Sequence, residues 1–235
     1  METQLILNLD IRFTLTREEY YVSTANSFAI RTLDDWTARS QTGLIIVGPR
    51  ASGKTHLASV WINETGGQLF QVQELVSFDV EILLKEKFIV IENLNRIIQL
   101  SRNERSEIEE KILHVYNSLT SSGGRLLITA TTFPNKWNIE LKDLLSRLMS
   151  CQIAELSLPD DNLLAAIMTK QFVDRQIVVS PQVIDHAMVR MERSFSFAKK
   201  LVEKLDSEAL RVKKPISKQL VNDVISSLGS RRSES

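Results

Sequence analysis

Three short runs of consecutive apolar residues stand out along the chain: GLIIV (residues 43–47), KFIVIE (87–92) and RLLITA (125–130), each ending at polar residues. A buried helix segment gives the same pattern, but the shortness of the runs and their polar ends predict strands covered on both faces. Between them apolar residues recur at helical spacing. KTHLASVWINE follows the first run, and RSEIEEKILHVYNSL precedes the third with Ile108, Ile112, Val115 and Leu119 on one stripe. Strand and helix alternate, which predicts an α/β fold with a mostly parallel sheet and helices on both faces. Upstream, TANSFAIRTLDDWTARS (24–40) reads as a helix entered through Thr24 or Asn26 as its cap.

From Pro159 the pattern changes. The stretches 160–176, 180–191, 194–210 and 217–228 each carry an apolar stripe at 3.6 spacing and begin near Ser, Asp or Pro, so a small all-α domain is expected. The organisation predicted is an N-terminal peptide and linker (1–12), an α/β domain (13–157), a helical lid (158–228) and a disordered tail (229–235). No repeat of 20–50 residues is visible.

At 235 residues the chain has room for one good core and a small second domain. Lys plus Arg and Asp plus Glu number 29 each, which leaves no broad positive field for a nucleic-acid backbone; a small anion and protein partners fit better. Cys151 is the single cysteine, so no intramolecular disulfide forms, and a buried structural thiol is expected there. His56, His114 and His186 lack metal-ligand spacing, and Trp36, Trp61 and Trp137 read as packing residues. The apolar runs are too short for a bilayer and the N-terminus lacks a basic stretch with an apolar signal core, so the expectation is a cytoplasmic protein without membrane contact.

GPRASGKTHL (48–57) has the spacing of a phosphate-binding loop, placed between a predicted strand and a predicted helix. In that pattern the loop of Gly48, Pro49, Arg50, Ala51, Ser52 and Gly53, with His56 at the head of the helix that follows, surrounds phosphate oxygens with its available backbone N–H groups. Lys54 reaches the β and γ phosphates, and Thr55 ligates Mg2+. Glu92 ends the second strand where a Walker B carboxylate holds the metal or its water shell. Asn93 occupies the place of the second carboxylate, and an amide cannot take a proton from the attacking water. Strong binding of ADP or ATP with slow turnover is the expectation, with Glu107 or Glu109 as the alternative base.

These segments, in this order, resemble the DnaA-related branch of the AAA+ ATPases, which includes the replication initiators and shortened, Hda-type regulators. YYVSTANSFA, GKTHL, EEKILHVYNSL, RLLITATTFP (sensor 1), LLSRL (144–148, box VII) and RMERSFSFAKKL (190–201, sensor 2) carry the resemblance. It implies that Arg147 is an arginine finger acting in trans, worth roughly 10³ to 10⁵ in rate. It implies that Arg193, or Arg190 nearby, reaches the chain's own nucleotide from the lid, and that Thr129, or Thr131, is the sensor 1 residue.

QLILNL (4–9) is similar to the peptide by which Hda-type proteins bind the sliding clamp of the replicative polymerase. Gln4 would supply a directional hydrogen bond, with Leu7 and Leu9 in apolar pockets and Leu5 between them. The alternating leucines also suit an edge strand. The implied partners are DnaA, the clamp and possible self-association, and the implied role is to make DnaA hydrolyse its ATP at the replisome and so prevent re-initiation. Seven residues follow Leu228, so no helix-turn-helix DNA-binding module is expected after the lid. A self-hydrolysing switch of the helicase-loader type, or a module that occludes DnaA without catalysis, are the rival readings.

Overall fold

The computed structural model describes residues 26–38, 41–212 and 214–230. Gln4, Leu5, Leu7, Leu9 and Thr24, singled out in the sequence, lie outside them. Five strands, β1 (Gly43–Val47), β2 (Gln68–Gln71), β3 (Phe88–Glu92), β4 (Arg125–Ala130) and β5 (Gln152–Glu155), form one sheet in the order β2-β3-β4-β1-β5. Every pairing is parallel. Around them lie α1 (Ser27–Ala38), α2 (Lys54–Thr65), α3 (Val80–Leu83), α4 (Arg102–Ser122) and α5 (Lys142–Ser150). Then follow α6 (Asp161–Asp174), α7 (Pro181–Met188), α8 (Phe195–Val212) and α9 (Lys218–Ser230). Among the described residues no helix is long and apolar enough to cross a membrane.

Successive strand residues point to opposite faces, and both faces are covered. Ile45, Ile91 and Ile128 pack with the Ile108, Ile112, Val115 and Leu119 stripe of α4. Leu44, Ile46, Val90 and Leu127 pack with Leu33, Trp36 and Trp61 from α1 and α2. The helices α6–α9 bury a cluster of their own, centred on Leu164, Met168, Leu201, Leu205 and Val221. The three predicted strands are β1, β3 and β4, in the middle of the sheet. The outer strands β2 and β5 lacked an apolar run because they are half-exposed and bear Gln68, Gln71, Gln152 and Glu155. At the head of α1, the carbonyl of Asn26 accepts the N–H of Ile30 at 3.0 Å.

Cys151 lies under the start of β1, and a Cβ at Gly43 would stand 2.3 Å from its Sγ. Its thiol donates to the Arg147 carbonyl at 3.3 Å, and burial pushes its pKa up from an ordinary value of 9.0 to about 12. The folded chain therefore keeps a proton that the unfolded chain releases, so stability is full below pH 9 and falls between about 9 and about 12. Denaturant melts across that range are expected to show this loss, and to lose it in Cys151→Ala. The native thiol should resist iodoacetamide at pH 8, because only the thiolate is nucleophilic.

Candidate functional site

β1 runs straight into the loop 48–53, which turns into α2. A Cβ at Gly48 would lie 2.4 Å from the carbonyl oxygen of Leu156, so only glycine lets the loop pass β5's end. Gly53 has φ 94°, and a Cβ there would lie 2.9 Å from the ring of Phe195, the first residue of α8. Ala51 is also left-handed, with φ 62°. The loop thus leads into the head of α2, and a helix N-terminus is a place that holds an anion; within the loop the N–H groups of Gly48 and Ser52 donate to the carbonyls of Ala130 at 3.1 Å and Pro49 at 3.4 Å. Lys54 is buried, its Nζ donating to the carbonyls of Gly48 at 2.8 Å and Pro49 at 2.7 Å. Desolvation lowers its pKa, partly countered by the negative charge of Glu92.

Beside the loop is a cleft of about 950 Å³, walled by the loop, the turn after β3, and faces of α6 and α8. Asn93 takes a left-handed conformation, φ 56°, and starts a 3₁₀ turn over Leu94–Gln99. Its N–H donates to the Thr129 hydroxyl at 3.0 Å, and the Asn95 side-chain oxygen accepts the N–H of Thr131 at 2.9 Å. The ends of β3 and β4 are thereby tied. Asn93, Asn95 and Thr131 line the cleft, whereas Thr129 is fully buried behind them. Of the two threonines proposed for sensor 1, the structure brings Thr131 to the cleft. Asn95 had escaped notice; its signal is the Asn-Leu-Asn alternation, with Leu94 fully buried between two amides.

No family model and no curated protein matches the sequence. Among solved structures, domain III of the replication initiation protein DnaA from Thermotoga maritima superposes with a TM-score of 0.77 at 18% identity, over 91% of this chain and 96% of that one. DnaA of Aquifex aeolicus bound to AMPPCP gives 0.68 at 16% identity, over 87% and 68%. A RuvB variant from Thermotoga maritima gives 0.66 at 17%, over 85% and 67%. The fold is that of the AAA+ ATPases.

Neither Glu107 nor Glu109, the two acidic side chains weighed as the alternative base, lines the cleft. Glu107 pairs with Lys111 at 2.7 Å. Glu109 is buried and accepts the N–H groups of Glu140 and Leu141, at 3.0 and 2.7 Å, at the head of α5. Asp174, at the end of α6, is the one carboxylate among the described residues lining the cleft.

The glycine cradle of this loop, with Lys54 beneath it, fits a nucleotide's phosphates. A directly ligated Mg2+ fits less well. Thr55 and Glu92 are brought together, but the Thr55 hydroxyl donates to one Glu92 oxygen and the Gln71 side-chain amide donates to the other. Glu92 is buried and does not line the cleft, and no group of three or more His, Cys, Asp or Glu suited to a metal occurs among the described residues.

Arg193 does not line the cleft. It closes a two-pronged pair with Asp161, Nε at 2.9 Å and Nη2 at 3.0 Å, on the exposed side of the lid. Arg190 donates to the His186 carbonyl at 3.3 Å and does not line it either. The reason is positional: both precede α8, and the residues of α8's first turns that reach the cleft are Phe195, Ser196 and Lys199. Lys170 and Arg175 join them from α6 and the residue that ends it. Nothing in the apolar stripe of α8 marks which of its ends meets the loop. Arg147 is exposed on α5, whose Leu144 and Leu148 are buried, and it lies outside the chain's own cleft. Its guanidinium forms no ion pair or hydrogen bond with any described residue.

Proposed function

We propose that this chain is a nucleotide-bound AAA+ regulator of replication initiation that stimulates ATP hydrolysis by DnaA. The observation that carries the reading is Arg147: a solvent-facing guanidinium on a helix fixed at its head by Glu109, away from the cleft of its own chain. Such a group is free to approach a phosphate held by a neighbour, where it stabilises charge developing on the transferred phosphoryl. The DnaA-like fold supports the choice of partner.

In the chain's own cleft, ADP or ATP acts as a structural ligand. The loop's N–H groups and Lys54 hold its phosphates, and Asn93, Asn95 and Thr131 face the terminal one. None of these three side chains accepts a proton from water, so turnover in cis is slow. That favours the regulator over a self-hydrolysing switch. The peptide Gln4–Leu9 tethers the chain to the sliding clamp, which places it at the replisome, and hydrolysis on DnaA then prevents a second initiation.

The test is phosphate release from ATP-loaded DnaA in the presence of DNA-loaded clamp, with and without this protein. Acceleration that depends on residues 4–9 supports the reading; an unchanged rate removes it. Binding of the chain's own nucleotide is checked separately. Lys54→Ala is expected to weaken fluorescent ADP binding about 30-fold, since a charge-assisted contact of this kind contributes about 2 kcal/mol, and equal affinity in titration would remove Lys54 from the site.

A further inference from the structure

Asn95, on the turn after β3, has an amide whose two branches face different ways. Thr131 follows Ala130 at the end of β4, and the Ala130 carbonyl accepts the N–H of Gly48 at 3.1 Å, where the phosphate loop begins. The N–H of Thr131 in turn donates to the side chain of Asn95 at 2.9 Å. A backbone N–H needs an acceptor, so the branch it meets is the amide oxygen, and the NH2 branch points away from Thr131. Asn95 is half-buried and lines the cleft, and among the described residues no group accepts from that NH2. Asn93, which starts the turn, makes no capping bond with its side chain and lacks this fixed orientation.

The head of α2 stands beside the same turn, since the Thr55 hydroxyl donates to Glu92 at the end of β3. This end of the cleft is polar, with Asn93, Asn95, Arg96 and Thr131, while the lid offers the apolar surface of Ile167 and Phe195. A nucleotide seated on the loop therefore turns its base toward the lid and the end of its phosphate chain toward Asn95. We propose that Asn95 reads the length of that chain: its NH2 donates to the third phosphate of a nucleoside triphosphate and finds no such oxygen on a diphosphate. Because its oxygen stays on Thr131, the donor is in place before the ligand arrives and little ordering opposes the contact. The inference rests on the nucleotide-binding reading above and names the part of the ligand that this residue distinguishes.

The test is displacement of N-methylanthraniloyl-ADP from the full chain, in one buffer, by ADP and by the non-hydrolysable triphosphate AMPPCP. Asn95→Ala is expected to weaken AMPPCP about tenfold, the size of one hydrogen bond to a charged group, and ADP by less than about threefold. Asn95→Asp is the sharper arm. The aspartate keeps an acceptor for the Thr131 N–H, so the tie between the two turns survives, but a negative oxygen stands where the NH2 was. This variant should lose about 100-fold for AMPPCP and far less for ADP. Equal losses of both nucleotides in Asn95→Ala, or parental binding of AMPPCP by Asn95→Asp, would reduce Asn95 to a tie between the turns and overturn the inference. So would a parent chain that binds ADP but not AMPPCP. Absence of binding of either nucleotide by the parent overturns the nucleotide reading itself, so the two failures are told apart.

Discussion

Replacing Arg147 by alanine is expected to lower stimulated phosphate release from ATP-loaded DnaA by roughly 10³, to near its unstimulated rate. The size of the effect follows from where the charge acts. A guanidinium that meets the phosphate only as the transition state forms adds to the rate rather than to affinity, so association of the two proteins should change far less than turnover. Arg147→Lys should recover only a small part, because an ammonium is a point charge without the planar fork that grips two phosphate oxygens. The side chain is exposed and Leu144 and Leu148 hold the helix, so the variant should melt within about 0.5 kcal/mol of the parent. Full stimulation by Arg147→Ala in a phosphate-release assay would sink the finger and leave occlusion of DnaA as the reading to pursue.

Glu109→Ala is the second large effect, and it falls on stability. Its carboxylate, 1% exposed, accepts the N–H groups of Glu140 and Leu141 where α5 begins. Leu141 caps that helix without a side-chain hydrogen bond of its own. Removing the acceptor leaves two backbone donors without their partner at a half-buried helix head, and each such donor costs about 1–3 kcal/mol. A loss of about 4 kcal/mol is expected, or a drop in Tm of roughly 10 °C for a chain of this size. Glu109→Gln keeps one acceptor oxygen and should cost about half as much. Calorimetry decides it: a change under about 1 kcal/mol would mean that water serves the helix head as well as the carboxylate does.

What the sequence made legible was local. The phosphate loop reads directly because its glycines, Lys54 and Thr55 are contiguous, and the strands β1, β3 and β4 read because burial on both faces leaves an uninterrupted apolar run. What stayed hidden depends on residues far apart in the chain. Arg193 has the charge to serve the nucleotide, but Asp161, thirty-two positions earlier, holds it on the lid surface. Thr129 and Thr131 are equivalent in sequence, and only the turn after β3 separates them, by taking one hydroxyl for Asn93 and leaving the other at the cleft. Glu109 looked available for chemistry because an isolated helix says nothing about which loop will claim its acid.

The ring of Phe195 lies over the left-handed Gly53, so the lid touches the loop at a position that can carry no side chain. A ligand on the loop therefore lies beside a ring anchored to an 18-residue helix. Exchange of a nucleotide held on the loop is then expected to require that contact to open. A chain built this way keeps a record of what it last bound.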